Sequence, residues 1–167
     1  MQRVDPPNDG PDKVMLGAYL DYHRATLLMK IDGVADEDLR RPMVPSGTNL
    51  LGMVKHLAWV ERGWFQECFA GDEIPTPPWT DEDPDADFRI EPHESTQQII
   101  DMYREACERS RAITEDATSL DQPAKNPSPR RRGIKLRWIL MHMIEETARH
   151  NGHADILREM IDGSTGE

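Results

Sequence analysis

The stretch "HMIEETARHNGHAD", His142 to Asp155, holds three of the six histidines of the chain and two adjacent glutamates. Imidazole nitrogen and carboxylate oxygen together form ligand sets for borderline divalent cations, so this stretch can bind a metal. A helix turns about 100° per residue, which puts His142, Glu146, His150 and His153 into one arc of roughly 80°. Glu145 falls outside that arc, where Arg149 four residues on can pair with it. His142 and His153 would lie about 16 Å apart along the axis, too far to share one ion. Three neighbouring pairs remain: His142 with Glu146, Glu146 with His150, and His150 with His153. Each supplies two ligands and needs another segment to complete a site, as in carboxylate–histidine centres built between helices. The competing reading is the polar face of an ordinary helix.

The segment suited to supply the third ligand is "NLLGMVKHLAWVERGWF". Its apolar arc gathers Leu50, Met53, Val54, Leu57, Val60 and Trp64. His56 falls just past one edge of the arc, and Glu61 falls inside it. A carboxylate buried without a partner would cost several kcal/mol, on the order of a lost charged hydrogen bond or more. A salt bridge to Arg149, or a bond to a ligand histidine, would relieve Glu61. Periodicity leaves His56 and Glu61 both open. His23 lies on an apolar stripe and is expected to be a hydrogen-bonded core residue. His93, beside Pro92 in a loop, is expected to be structural or idle. Cys68 and Cys107 form no CxxC pair and read as free buried thiols, neither in a nucleophile setting. The Trp and Met residues read as packing.

Four amphipathic segments must position these groups. Leu16, Tyr19, Leu20, His23, Leu27 and Ile31 recur at helical steps over about 12–31, with Gly33 as a stop. The second segment spans about 48–70, with Ser46 or Thr48 as cap and Gly71 as terminator. The third, about 95–118, opens with Ser95 and Gln98 at capping-box spacing. The fourth runs from about 136 to 161 and ends before Gly163. The connection "GDEIPTPPWTDEDPDADFRIEPH" is long for a structureless loop, which predicts that it covers something. No repeat, no glycine-rich phosphate loop and no convincing strand is present. The expectation is an all-α four-helix bundle with long crossover loops.

The 31 acidic against 20 basic side chains give a formal net charge of -11, which argues against a nucleic-acid partner. The one basic knot, "PRRRG" at Pro129–Gly133, reads as a solvated loop rather than an anion site. No apolar run approaches the roughly 20 residues of a membrane span. The opening "MQRVDPPNDGPD" lacks the apolar core of a secretory signal, so the chain is expected to be cytoplasmic.

"LLGMVKHLAWVERGWF" together with "LRWILMHMIEETARHNGHADILREMIDG" resembles the DinB/YfiT-like superfamily. Within it, "LGAYLDYHRATLLMKIDGVADEDLRRPMVPSG" and "DPDADF" fit the branch of mini-circle proteins. The resemblance covers about 12–163 and implies one DinB-like domain over 1–167, with 1–11 as an N-terminal tail. It implies an up-down-down-up bundle with a divalent metal between helices. Many members carry a histidine on the second helix and an HxxxH pair on the last. Here the first matches His56 and the last His150, while Glu146 stands where the pair begins. That departure resembles the mycothiol-dependent maleylpyruvate isomerases, whose zinc is held by two histidines and a glutamate. The usual glutamine three residues after the last ligand is His153, whose role stays open, and His142 becomes a bystander.

A metal set of His56, Glu146 and His150 leaves an open position, as catalytic rather than structural sites do. The resemblance implies zinc first, with nickel, iron or manganese as alternatives. It also implies a mycothiol-like thiol as cosubstrate, an electrophilic partner, and thiol S-transfer or thiol-dependent isomerisation. Exposed helix faces and family habit imply a homodimer. The alternatives are a hydrolase using ion-bound water and a non-catalytic, stress-associated dimer that binds a metal or ligand.

Overall fold

The computed structural model describes residues 3–165, so two residues of the expected tail and the last two of the expected domain lie outside the described residues. Five α-helices form: α1 (Asp12–Ile31), α2 (Asp36–Arg40), α3 (Leu50–Glu61), α4 (Thr96–Asp116) and α5 (Leu136–Asp162). Among the described residues there is no strand, only an isolated bridge between Pro123 and Lys135. The four expected segments reappear within a few residues of their limits. The short α2 is a fifth helix that they omit. Five residues are too few to show a period, yet acids in its first turn and Arg40 in its last complement the helix dipole.

Ends of helices follow local chemistry. Ser95 and Gln98 form the expected capping box on α4. Neither Ser46 nor Thr48 caps α3; Asn49 does, its Oδ1 accepting from the Gly52 amide at 2.8 Å. Beyond Glu61, α3 continues as a π-helical stretch, Arg62–Ala70, which closes at Gly71 with φ 69°. A π-turn holds more residues per turn than an α-turn and so rotates the face that follows it. It carries Trp64 and Cys68 toward the connection ahead of α5.

The helix α1 packs along α5, α3 along α4, and α3 also meets α5. Two apolar clusters result, one around Leu27, Leu50, Leu57, Tyr103 and Leu157, the other around Leu20, Phe65, Leu136, Leu140 and Met143. An ion pair joins the helices at the level between them. Arg24 stands between Leu20 and Leu27, and Glu61 between Leu57 and Phe65. Arg24 Nε donates to Glu61 Oε1 at 2.7 Å and Nη2 to Oε2 at 2.6 Å, with the residues 3% and 1% exposed. A further bond from Nη1 reaches Asp21 at 2.8 Å. The partner of Glu61 is therefore neither Arg149 nor a ligand histidine. The cross-helix neighbour came from α1, which periodicity within one segment does not reveal. Cys107 and Tyr103 lie beside this pair. Burial first, then the Glu61 charge, pushes the Cys107 thiol up to about 12, so it is inert.

The long connection after Gly71 returns across α3, as its length predicted. Lys55, 3% exposed, donates to the Arg89 carbonyl at 2.7 Å and pairs with Glu94 at 2.8 Å. A Cβ on Gly52 would fall 2.2 Å from the Phe88 carbonyl oxygen, so only glycine admits this approach. The connection before α5 is tied down by Lys125 and Asn126 amides donating to the Phe69 and Cys68 carbonyls at 3.1 and 3.0 Å.

Breaking the buried pair should strand a charge. Glu61→Ala is expected to lower the unfolding free energy by about 3–5 kcal/mol in urea titrations, and Arg24→Met with Glu61→Leu to recover much of the loss.

Candidate metal centre

Helix α3 presents His56 from the rim of its apolar arc, and α5 presents Glu146 and His150 one turn apart. Glu146 Oε1 lies 3.5 Å from His56 Nε2 and 3.3 Å from His150 Nε2. One ligand atom from each of the three residues falls within 4.8 Å of the others. Donors on a tetrahedral ion at about 2.0–2.1 Å sit roughly 3.3 Å apart, so these spacings suit a single cation. The side chains are 15%, 15% and 12% exposed, which leaves one side of the group accessible.

The orientation of His56 comes from the long connection. Its Nδ1–H donates to Asp87 Oδ2 at 2.8 Å, which fixes the tautomer and leaves the Nε2 lone pair toward Glu146. Phe88 stacks on the same imidazole, centroids 4.0 Å apart and planes 16° from parallel. Asp87 is 4% exposed. Two buried atoms around the group have no partner, Asp87 Oδ1 and His150 Nδ1.

Electrostatics favour the binding forms. Burial alone would raise the Glu146 carboxyl, but His150, His56 and Arg149 outweigh it and hold it below the ordinary carboxylate range. Burial, aided by His56 and His153 and opposed by Glu146, pushes the His150 imidazole down. At neutral pH the centre thus offers an ionised carboxylate and an unprotonated His150, the states that bind metal.

Of the arc read from the sequence, the structure brings Glu146 and His150 to His56 and leaves two histidines out. His153 is exposed and touches the His150 ring edge-on at 5.6 Å. His142 lies between two tryptophans, stacked on Trp138 at 5.0 Å and edge-on to Trp64 at 4.9 Å. Glu145 accepts from Arg149 Nε at 2.9 Å, the surface pair expected. The imidazole of His23 is half-buried, packs edge-on to Tyr22 and makes no hydrogen bond among the described residues, contrary to expectation. Only its carbonyl is used, by Asn151. His93 is exposed.

Asp87 and Phe88 escaped the sequence reading. They sit in "DPDADF", where several acids look alike and only the folded path singles one out. His56, of the three residues, lines a cleft of about 760 Å³ together with Trp59, Trp64, Cys68, Trp79 and Arg131. Burial, partly offset by Arg131, pushes the Cys68 thiol up, so it is not a thiolate at neutral pH.

Residues 15–163 match the family model described as mycothiol-S-transferase. The chain belongs to that family. The mycothiol-S-transferase match is consistent with the DinB/YfiT-like resemblance and spans His56, Asp87, Glu146 and His150. No curated protein matches the chain.

Two outcomes follow from this geometry. Asp87→Asn keeps the shape but weakens the hold on His56, and is expected to lower zinc affinity about 10–100-fold in chelator-competition titrations. Burial first, aided by Arg131 and Arg149 and opposed by Glu146 and Glu145, lowers His142 from the ordinary imidazole value of 6.5. The unfolded chain therefore takes the proton first. The stability contributed is present above 6.5 and is lost as pH falls through the folded value. Thermal melts of metal-free protein should fall with pH in that window, and His142→Gln should flatten the slope.

Proposed function

We propose that this protein is a metal-dependent thiol S-transferase that joins a low-molecular-weight thiol, mycothiol in the first place, to an electrophilic or xenobiotic substrate. The observation that carries the reading is the convergence of His56, Glu146 and His150 beside an accessible cleft, in a chain of the mycothiol-S-transferase family. A divalent cation held by His56, Glu146 and His150 would supply Lewis acidity there and would lower the pKa of a thiol beside it. Zinc suits the donor set best, and nickel, iron or manganese are the alternatives.

The chain's own residues supply position. Asp87 holds a proton at His56 Nδ1 and so keeps Nε2 for the ligand role. Glu146 contributes the one negative charge of the donor set, and Arg149 Nη2, 3.5 Å from its Oε2, steadies the outer oxygen. Cys68 and Cys107, both with raised thiol pKa, leave the nucleophile to an external thiol.

The same proposal includes one domain, an up-down-down-up four-helix bundle, a cytoplasmic location and a homodimer. The pairings of α1 with α5 and of α3 with α4 support the bundle. Among the described residues no helix is long and apolar enough to cross a membrane.

The test is conjugation of mycothiol to monochlorobimane by zinc-loaded protein. The expected result is conjugation that chelator abolishes and that falls by roughly tenfold to a hundredfold or more in His150→Ala and Glu146→Gln. Turnover without thiol would favour a hydrolase, and stoichiometric binding without turnover a ligand-binding protein; either would overturn thiol transfer.

A further inference from the structure

Most arginines of this acidic chain are paired. Among the described residues, eleven arginines make ion pairs with carboxylates, from Arg24 on α1 to Arg158 on α5. Arg130, Arg131 and Arg132 make none. They sit on a short turn opened by Pro129, and all three are exposed, but Arg131 lies against two indole rings. Its guanidinium carbon stands 4.2 Å from the centroid of the Trp64 ring and 5.3 Å from that of Trp138. Contact with indole faces uses the flat side of a guanidinium and leaves its edge donors for a planar acceptor.

Arg131 also lines the cleft that His56 lines, so an anion held by it shares a space with that histidine. The walls of that space are unusually aromatic. Trp59, Trp64 and Trp79 line it, and Trp138 touches Trp64 at 5.4 Å, so all four tryptophans of the chain gather here. Trp79, on the cleft wall, stays 38% exposed, and Trp138, beside it, is 45% exposed with the His142 ring stacked on it. Two carboxylates share the cleft wall. Asp87 is committed to His56, and Glu67 is exposed at the rim.

We infer that Arg131 is a specificity-determining residue, and that the cleft selects a planar electrophile bearing a carboxylate, its ring against the tryptophans and its acid on the guanidinium. A bidentate arginine–carboxylate contact on an aromatic platform accounts for an unpaired arginine held in one place. The sequence alone made this knot a solvated loop; its seat over two indoles is what changes the reading. The inference rests on thiol transfer only for turnover, since binding of the acid needs neither thiol nor metal.

The test uses a matched pair of rings in two arms. In the first, quenching of tryptophan fluorescence measures binding of 3,5-dinitrobenzoate and of its neutral methyl ester to the full chain. Wild type is expected to bind the acid roughly tenfold more tightly or better, and Arg131→Met to lose that preference while keeping its affinity for the ester. Arg131→Lys, which keeps the charge without the fork, should retain part of it. Equal affinity of wild type for acid and ester, equal losses for both in Arg131→Met, or displacement of the acid by millimolar inorganic phosphate would overturn the inference. In the second arm, zinc-loaded protein receives mycothiol and either 4-chloro-3,5-dinitrobenzoate or its methyl ester. The thiolate sulfur bonds to the ring carbon, the C–Cl bond breaks, chloride leaves with the electron pair, and the thiol proton passes to buffer. A preference for the acid that Arg131→Met erases through KM is expected. Selective binding in the first arm with no conjugation of either ring would refute thiol transfer and leave the anion site standing.

Discussion

The hydrogen bond from His56 Nδ1 to Asp87 is the contact on which the centre depends. It decides which nitrogen of His56 is free, and thereby turns the lone pair of a residue at the rim of α3 toward Glu146 on α5. Asp87 reaches that position because its connection is pressed onto α3 from several sides. Gly52 admits the Phe88 carbonyl, Lys55 grips the Arg89 carbonyl and Glu94, and Phe88 lies flat on the imidazole. A loop of this length would ordinarily be mobile. Here it is part of the site, because a buried carboxylate must find a donor and His56 is the one it finds.

Glu61 and Glu146, two of the inward-facing carboxylates of the site region, show how environment separates structure from chemistry. Glu61 is almost fully enclosed and its charge is answered by both arms of Arg24, so nothing remains for a ligand. Glu146 is half-buried among imidazoles, with only a 3.5 Å approach from Arg149 to its outer oxygen. Its negative charge is held ionised yet left largely unanswered, which is the condition a cation relieves. The same residue type thus joins two helices in one place and is available to a cation in the other.

Much of this was legible in the residues. Helical periodicity located the four long helices, because each buries one face, and the Ser95 capping box and the stops at Gly71 and Gly163 marked some of their ends. The arc on α5 narrowed the ligands to neighbouring pairs, and Glu145 was separated from Glu146 by angle alone. Choosing His56 over Glu61 needed family resemblance, since a histidine at the edge of the apolar stripe and a glutamate within it could each turn toward the last helix. What stayed hidden depends on contacts between distant segments. Arg24 as the partner of Glu61, Asp87 behind His56, and Arg131 over Trp64 join residues 37, 31 and 67 positions apart. The π-helical stretch was equally invisible, since a change of pitch leaves no mark in composition.

Thiol transfer as proposed requires a partly open cation site, made by two imidazoles and one carboxylate, that accepts a thiolate. X-ray absorption at the zinc edge of the loaded protein, with and without mycothiol, tests it most directly. The account predicts one zinc per chain in a nitrogen and oxygen shell with two imidazoles, and a sulfur neighbour at about 2.3 Å once thiol is added. Failure to take up zinc, or a shell unchanged by the thiol, would contradict it.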